Sequence, residues 1–413
     1  MERRTFLKIL SSAGIVSLVS PTFAMEVCKN KVSKSSSALL ESAFRNPPFS
    51  SGVYTWWHWM NGNITKDGIT RDLEAMKANG IAGYQLFEAG SGIPIGPVES
   101  LSDEWVDLIL HTLKESERLG LEFAMHNCPG WSSSGGPWIT PDKAMQIITW
   151  SETKITGGKQ VRIQLPTPKH MFDYYIDTYC LAIPANMKVI PRLSILELSN
   201  RLDKDGVLTW DVPTGEWLIM RFGQTAKDQK NKSAPSKSTG LDCDKFSTEA
   251  LDYHLNCMFK RLMPTMEKIA KHSKIGLLID SYETGDQDWT SDMPAYFEQS
   301  HGYELYPFLP VLANKIVESE ESTKRFLFDF RRVRADMFAE RYYGHFQKRC
   351  KEKGIITYTE PYGGNMMEEL QVAQQLDINM GEFWCGQTVL WANYKYNRTV
   401  KQVASIAHTL GGK

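Results

Sequence analysis

Residues 81–127 contain two apolar runs, IAGYQLFE (81–88) and LEFAMHN (121–127), on either side of the amphipathic segment SDEWVDLILHTLKESERL (102–119). Each apolar run predicts a buried β-strand, and the segment between them predicts a helix that ends at Gly120. A strand, a helix and a second strand in this order are typical of a parallel β/α unit.

The same alternation continues in both directions along the chain, and it predicts a (β/α)8-type barrel. The chain stops at Gly411-Gly412-Lys413, a helix C-terminal signal, before an eighth strand. We therefore expect a barrel that is incomplete at its C-terminal end. The predicted strands are 53–57, 81–88, 121–127, 240–244, 275–282, 355–359 and 378–383. The predicted helices are 65–79, 102–119, 140–150, 248–271, 326–351, 366–375 and 400–410.

One region interrupts the alternation and has a strand-rich pattern without a helix. Its β-like segments are separated by Gly, Pro and Asp turns, which predicts an inserted all-β subdomain at residues 154–225. The barrel is then divided into a first part, 48–153, and a second part, 226–413. The second part opens with a polar stretch, 226–238, that is expected to be an exposed loop. The β-like segments are 160–165, 174–182, 207–212 and 216–222.

The N-terminal residues have the features of an export signal. The pair Arg3-Arg4 precedes the apolar run 9–19 and the small residue Ala24, a twin-arginine pattern that predicts a signal peptide over residues 1–24, with the mature chain beginning near Met25. The apolar run is shorter than the ~20 residues a membrane span needs. We expect a protein that is exported to the periplasm or the outside of the cell, without stable membrane insertion after signal removal. Residues 25–47 are expected to be a linker.

Composition excludes several classes of function. The net charge of −1 gives no basic surface for nucleic acid. The seven cysteines include no C-x-x-C pair, which argues against a disulfide framework or an iron–sulfur site. The aromatic share is 11%, with 12 Trp and 16 Tyr. Such rings suit stacking on sugars, although core packing explains them equally well.

Three glutamates lie at the ends of predicted strands and have aromatic neighbours: Glu283, Glu360 and Glu382. The C-terminal ends of barrel strands share one face, so we expect the three carboxylates to converge on one pocket. Glycoside hydrolysis needs one carboxylic acid and one carboxylate, and nearby aromatic rings raise an acid's pKa by desolvation. No phosphate-binding Gly-rich loop, serine nucleophile elbow or H-E-x-x-H motif competes with this interpretation.

Two long motifs resemble the signature stretches of glycoside hydrolase family 106. They are YTWWHWMNGN at 54–63 and HNCPGWSSSGGPW at 126–138, and the segments around Glu283, Glu360 and 381–384 are similar as well. The resemblance spans roughly residues 48–413. It implies an α-L-rhamnosidase, inverting and assisted by calcium, that acts on a rhamnose-containing glycan.

The resemblance also implies roles for individual residues. Glu283 would be the general acid, Glu382 the general base, and Glu360 a further carboxylate that faces the calcium or the sugar hydroxyls. Asp242, like Asp244, lies near a predicted strand end and is a second candidate metal ligand, although a loop position also explains it. Alternatively, His126 is a hydrogen-bonded core histidine and Trp131 a packing residue. The sugar pocket would be lined by Trp57, His58, Asn61, His126, Asn127 and Trp131.

Two other functions stay open at the level of sequence. An incomplete barrel could keep a sugar pocket and lack turnover, which would make the chain a non-catalytic carbohydrate-binding remnant. Twin-arginine export is also common among cofactor oxidoreductases, and a bound chromophore would indicate one. Hydrolysis of a chromogenic α-L-rhamnoside separates the first alternative from the enzyme.

Overall fold

The computed structural model describes residues 34–132, 134–269, 275–364, 366–383 and 397–410. The predicted signal peptide, the helix stop at Gly411-Gly412, and two motif residues, Ser133 and Trp384, lie outside these ranges. The chain divides into two compact units, before and after the junction of Val53 and Tyr54. Within the described ranges, every helix is too short or too polar to cross a membrane.

Fourteen strands and ten α-helices are present in the described residues, and a π-helical segment (Phe338–Gly344) follows α7. The strands are β1 (Val53–Met60), β2 (Ile81–Ala89), β3 (Glu122–His126), β4 (Gln146–Thr156), β5 (Lys159–Gln164), β6 (Ile176–Pro184), β7 (Val189–Ile190), β8 (Leu196–Glu197), β9 (Val207–Val212), β10 (Glu216–Ala226), β11 (Ile275–Ile279), β12 (Ile316–Val317), β13 (Ile356–Thr359) and β14 (Ile378–Asn379). The helices are α1 (Lys34–Arg45), α2 (Lys66–Ala78), α3 (Asp103–Leu119), α4 (Thr248–Ile269), α5 (Met293–His301), α6 (Leu309–Leu312), α7 (Glu320–Met337), α8 (His345–Lys351), α9 (Glu369–Ala373) and α10 (Asn397–Leu410).

The first unit contains α1, which occupies residues 34–45 of the segment 25–47 that was predicted to be a linker. Its residues Leu39, Leu40 and Phe44 are exposed. Only the part of the predicted linker from residue 34 onward is described.

Six strands form one sheet in the order β1-β2-β3-β11-β13-β14, which follows the chain. The pairs from β2 to β14 are all parallel, so the predicted parallel β/α architecture is confirmed. Strand β11 is buried along its whole length because it lies between β3 and β13. This position explains its uninterrupted apolar sequence, since central parallel strands are covered on both faces.

Local sequence signals fix the two helices that cross over between the first three strands. The Ser102 hydroxyl accepts a hydrogen bond from the Trp105 amide at the start of α3, and Gly120 ends that helix in the left-handed conformation with φ of 65°. Thr65 caps α2 in the same way through the Gly68 amide. Both helices therefore begin within one residue of the predicted positions.

Four of the strands between residues 146 and 226 form an antiparallel sheet, β4-β10-β6-β8, while β5 and β9 form a separate pair and β7 pairs in parallel with β12. Leu181 of β6 and Met220 of β10 belong to the same hydrophobic core as Leu277 of β11. Residues 54–413 accordingly form one compact unit. The boundaries of a separate all-β subdomain stay a prediction.

Two predicted elements are wrong. No helix forms at 140–150: residues 141–143 form a turn and residues 146–150 are the start of β4, which pairs with β10 over eleven positions. The β-branched residues of β4 favour a strand once a partner is present. The strand predicted at 240–244 is not in the parallel sheet. It forms isolated antiparallel bridges to Gly136, Ala144 and Lys230 instead. The described part of the parallel sheet therefore has six strands, and no ladder within it joins β14 to β1.

Candidate active site

A cavity of about 320 Å³ opens at the carboxyl ends of the parallel strands. Strands β1 and β2 supply side chains from within their length, and β11 and β14 supply residues from the loops that follow them. The cavity is thus built from strands that are far apart in sequence but adjacent in the sheet. It is lined by Trp56, His58, Phe87, Trp131, Lys232, Asp280, Ser281, Glu283 and Glu382.

One side of the cavity is aromatic. The ring of Phe87 lies 4.8 Å from the Trp56 ring and 5.1 Å from the His58 ring, measured between centroids. The Trp56 indole N–H donates to Gln85 Oε1 at 2.9 Å, which fixes the ring. Partial burial lowers the pKa of His58, which favours a neutral ring. A wall of flat rings with few charges suits the apolar face of a sugar.

Trp57 does not line this cavity, contrary to the prediction. Its side chain is buried on the other face of β1, where its ring meets Trp59 and Tyr84 edge to face. Its indole N–H donates to Asp72 of α2 at 2.9 Å. Successive residues of a strand point to opposite faces, so Trp56 and His58 face the cavity and Trp57 faces the helices.

Glu283 lies at the cavity with two hydrogen-bond donors on the same oxygen. Its Oε2 accepts from the Trp131 indole N–H at 3.0 Å and from Lys232 Nζ at 2.9 Å. The Glu283 and Lys232 side chains are 38% and 50% exposed. Two donors on a partly exposed carboxylate hold its orientation toward the cavity.

The loop that carries Lys232 was predicted to be exposed, but hydrogen bonds anchor it to the residues that follow β2 and β3. The Lys232 carbonyl accepts from the Trp131 amide at 3.1 Å, and the Ser233 carbonyl accepts from Gly90 at 2.8 Å. Gly130 has φ of +82°, and a Cβ atom there would lie 2.2 Å from the Lys232 carbonyl oxygen. The close approach therefore requires a glycine at this position.

Three carboxyl groups and a tyrosine form a connected acidic cluster, Asp280-Glu360-Tyr362-Glu382, in which Asp280 and Glu382 line the cavity and Glu360 and Tyr362 do not. The Tyr362 hydroxyl lies 2.8 Å from Glu360 Oε2 and 2.7 Å from Glu382 Oε2. Burial raises the pKa of Glu360 to about 7. Burial and the adjacent Glu360 charge raise the pKa of Asp280 well above its usual range. Three close carboxyl groups cannot all be ionised cheaply, so the cluster retains at least one proton near neutral pH.

Hydrogen bonds to the backbone of Glu360 and of Glu382 hold these two cluster residues in place. The Glu360 amide donates to the Ile279 carbonyl at 3.2 Å, so Glu360 lies beside the end of β11. The Thr399 hydroxyl of α10 donates to the Glu382 carbonyl. Helix α10 thus positions the residue that follows β14.

His126 lies behind the aromatic wall and is fully buried, 3.6 Å from the Phe87 ring between centroids. Its Nδ1 lies 3.0 Å from the Gly130 carbonyl, and its Nε2 lies 3.9 Å from Asp280. Burial lowers the pKa of His126 to about 3. The ring is therefore neutral, with Nδ1–H donating to Gly130 and the Nε2 lone pair facing Asp280.

Two predicted sugar-binding asparagines have structural partners instead. The Asn61 amide donates to the Ile93 carbonyl at 2.6 Å, and its oxygen accepts from the Ser236 amide at 3.0 Å. The Asn127 amide donates to the Leu278 carbonyl at 2.8 Å. Both side chains are buried and neither lines the cavity, so they hold strand ends and loops together.

Asp242 is committed to a buried ion pair away from the cavity. Its Oδ1 accepts from Lys245 Nζ and from the Ser134 hydroxyl, and the Asp242 and Lys245 side chains are fully buried. The described residues contain no group of three or more His, Cys, Asp or Glu side chains that could hold a metal ion. A joint metal site of Glu360 and Asp242 therefore gains no support from the geometry.

Several cavity and cluster residues were not among the predicted site residues. Trp56 could have been found from strand alternation alone, since His58 was predicted and shares its face. Asp280 and Tyr362 flank predicted glutamates. Lys232 had no signal, because its position depends on tertiary contacts of a polar loop. The complete set is Trp56, Phe87, Lys232, Asp280, Ser281 and Tyr362.

Glutamates and aromatic rings that meet at the carboxyl ends of parallel strands are the features of a glycoside hydrolase site. The chain belongs to glycoside hydrolase family 106, described as alpha-L-rhamnosidase, whose sequence profile matches residues 45–172 and 169–413. This confirms the resemblance found in the motifs.

Two known proteins resemble the chain over most of its length. The structure of a rhamnosidase from Novosphingobium sp. PP1Y superposes with a TM-score of 0.79 and 24% identity, over 89% of this chain and 52% of that one. A protein of Formosa agariphila named "Putative beta-glucuronidase" is 41% identical over 403 residues, which cover 90% of this chain and 34% of the relative. The chain thus spans about a third of the curated relative.

Proposed function

We propose that this chain carries the catalytic site of a glycoside hydrolase that releases α-linked L-rhamnose from an oligosaccharide or polysaccharide. The observation that carries the proposal is the cavity at the strand ends, where Glu283 and Glu382 face the same space beside an aromatic wall. Membership of the family supports the choice of rhamnose as the sugar.

In the proposed reaction, Glu283 is the general acid. It gives its proton to the glycosidic oxygen while the bond from that oxygen to the anomeric carbon breaks. Glu382 is the general base and takes a proton from the water whose oxygen bonds to the anomeric carbon. Attack from the face opposite the leaving sugar inverts the configuration.

The acidic cluster orients the proposed base, Glu382, and lowers the negative charge around it. The Tyr362 hydroxyl lies within hydrogen-bond distance of Glu382 and so orients its carboxylate. Asp280 retains a proton because burial and Glu360 raise its pKa. A proton on Asp280 lowers the negative charge of the cluster and leaves Glu382, which faces the cavity, as the carboxylate that accepts the proton from water.

Calcium assistance stays a proposal that rests on the family resemblance. Asp280, Glu360 and Glu382 carry oxygen atoms of the kind that calcium prefers, but they are hydrogen-bonded to one another or to Tyr362 and do not form a metal-binding group in the described residues. No catalytic step above depends on the ion. A calcium-dependent rise in melting temperature that is absent from Glu360→Gln would support it, and an unchanged melting temperature would count against it.

We also propose that the protein is exported and that the six-stranded sheet is part of a (β/α)8 barrel with an inserted antiparallel region. The N-terminal sequence motif supports export, and the order of the six strands supports the barrel. The intact mass of the exported protein tests the first proposal, because cleavage after Ala24 removes residues 1–24.

A second candidate function is β-glucuronide hydrolysis, because the 41% identical relative has that name. Chromogenic α-L-rhamnosides and β-D-glucuronides, assayed in parallel with wild type and Glu382→Gln, discriminate the two. We expect hydrolysis of the rhamnoside by wild type alone. Release from the glucuronide only would favour the second function, and saturable rhamnose binding without hydrolysis would indicate a carbohydrate-binding remnant.

A further inference from the structure

One cation stands among the residues described around the active-site cavity. Lys232 carries it, while the other lining residues are aromatic, hydroxylic or acidic. The His58 ring does not add a second cation, because burial lowers its pKa. A lysine in a sugar-binding cavity needs a reason, since neutral sugar hydroxyls require no counter-charge.

The Lys232 residue is held in place by its backbone, and its side chain is half exposed. Its carbonyl accepts from the Trp131 amide, and the next carbonyl, of Ser233, accepts from Gly90. The ammonium group contacts Glu283 Oε2 at 2.9 Å and is half exposed. Exposed ion pairs of this kind are weak, so a charged substrate can exchange with Glu283 for the ammonium.

The ion pair conflicts with the role proposed for Glu283. A carboxyl that must donate a proton accepts two hydrogen bonds here, from Lys232 and from Trp131, both on Oε2. The two donors occupy one oxygen of a carboxyl that must itself direct a proton to the glycosidic oxygen when the substrate is bound. Something in the complex must therefore remove the ammonium from Glu283.

We propose that Lys232 recognises an anionic group, a carboxylate or a sulfate ester, on the sugar that leaves, and that this contact draws the ammonium away from Glu283. The inference rests on the proposed function, because it assigns the leaving sugar to the side of the cavity where Glu283 lies. The preferred substrate is then a rhamnosyl uronic acid or a rhamnosyl sugar sulfate. Trp131, beside Lys232, offers a flat surface to the same sugar.

Three disaccharides test the proposal: α-L-rhamnose 1,4-linked to glucuronic acid, to glucose 6-sulfate and to glucose. They differ only in the group at the last carbon of the leaving sugar. We expect wild-type kcat/KM to be at least about tenfold higher for one or both anionic substrates, in line with a charge-assisted hydrogen bond. The kcat value should also rise, because release of Glu283 changes the chemical step and not only binding.

Lys232→Gln should reduce this preference to about threefold or less, which is well under a tenfold free-energy step. The matched control is Lys230→Gln, which removes an exposed lysine of the same loop; the Lys230 ammonium lies 3.9 Å from Asp228. This variant should keep the wild-type preference. The melting temperatures of both variants show whether either is misfolded. Free glucuronate, glucose 6-sulfate and glucose, compared as inhibitors of chromogenic rhamnoside hydrolysis, should give the same order without depending on the linkage.

Equal treatment of anionic and neutral leaving sugars by wild type, in rate and in inhibition, would overturn the proposal. So would a preference that persists in Lys232→Gln. Both outcomes leave rhamnosidase activity intact. Failure of wild type to hydrolyse any rhamnoside is a different result and would reject the proposed function itself.

Discussion

A single hydroxyl group connects the proposed base to the acidic cluster behind it. Tyr362 has one proton and two carboxylate neighbours, Glu360 and Glu382, both within hydrogen-bond distance. The phenol can therefore donate its proton to only one of the two carboxyl groups at a time. The other carboxyl group can hydrogen-bond to the phenol oxygen only if it carries a proton itself. This residue couples the protonation of the cluster to the carboxylate that faces the cavity.

Tyr362→Phe should lower kcat by about 10- to 100-fold, because a hydrogen bond to a charged group is worth ~1.5–3 kcal/mol. KM should change much less, since the hydroxyl does not line the cavity. Steady-state kinetics on a chromogenic rhamnoside measures both. The matched control is Tyr303→Phe, which removes a tyrosine–carboxylate bond to Asp329 away from the cavity. Equal kinetics in the two variants would contradict the role of Tyr362.

Glu360 should make folding stability depend on pH. Burial raises its pKa in the folded protein to about 7, above the ordinary value of an unfolded chain. Between those values the folded state binds more protons, so stability is fully present below the unfolded pKa and is lost as pH rises through the folded one. Asp280 contributes with the same sign.

Deprotonation of Glu360 should therefore lower the melting temperature of wild type as the pH rises from about 5 to about 8. Glu360→Gln removes this decrease, because glutamine does not titrate. The variant should show a flatter dependence over this range. Glu320→Gln, which alters an exposed glutamate in the first turn of α7, is the control and should keep the wild-type slope. A wild-type slope in Glu360→Gln would show that Glu360 is not protonated in the folded state near neutral pH.

Strand alternation explains which residues could be predicted and which could not. Glu283 and Glu382 were selected because they follow apolar strands, and both reach the cavity. Trp57 was selected because it stands in a recognisable motif, but a motif does not state which face of the strand a side chain occupies. Lys232 and Glu283 are 51 positions apart in the sequence, so no local pattern predicts their pairing.

At the scale of elements, the loop after β3 and the loop before α4 meet at a glycine. Gly130 approaches the second loop so closely that an added Cβ atom would lie 2.2 Å from one carbonyl oxygen and 2.8 Å from the Ala234 nitrogen. The same contact places Trp131 and Lys232 beside Glu283. The geometry of the acid therefore depends on this crossing.

Gly130→Ala should destabilise the protein by more than the ~1 kcal/mol cost of a left-handed alanine, and should impair hydrolysis by displacing Trp131 and Lys232. Gly92→Ala separates the two effects, because Gly92 has a similar φ of +68° and nothing within 4 Å of an added Cβ. Thermal unfolding and hydrolysis rates measure both variants. If the two lose the same stability and activity, the close crossing of the loops is not important.

Element prediction succeeded where a local signal was strong and failed where pairing decided the structure. The caps at Ser102 and Gly120 fixed α3 from sequence. Residues 146–150 were predicted as helix, but their ladder with β10 makes them a strand. Segment 240–244 looks like a strand locally, yet its hydrogen bonds go to loops and not to the parallel sheet.

At the scale of the whole molecule, the six-stranded sheet brings together side chains that are up to 326 residues apart, from Trp56 to Glu382. The order of the parallel strands follows the chain, which is why a sequence that alternates strands and helices predicted the shared face at all. Closure of the barrel stays a proposal, because it depends on long-range pairing between the first and last strands, which no local pattern specifies.

The most direct test of the proposed inverting mechanism is proton NMR of an α-L-rhamnoside during hydrolysis, with wild type and Glu382→Gln compared. Wild type should release β-L-rhamnose first, because water attacks from the face opposite the leaving sugar. Glu382→Gln should be slower by about 10²- to 10⁴-fold, the range expected for loss of a general base. Release of α-L-rhamnose first, or an unchanged rate in Glu382→Gln, would contradict the proposal that Glu382 is the general base of an inverting hydrolysis.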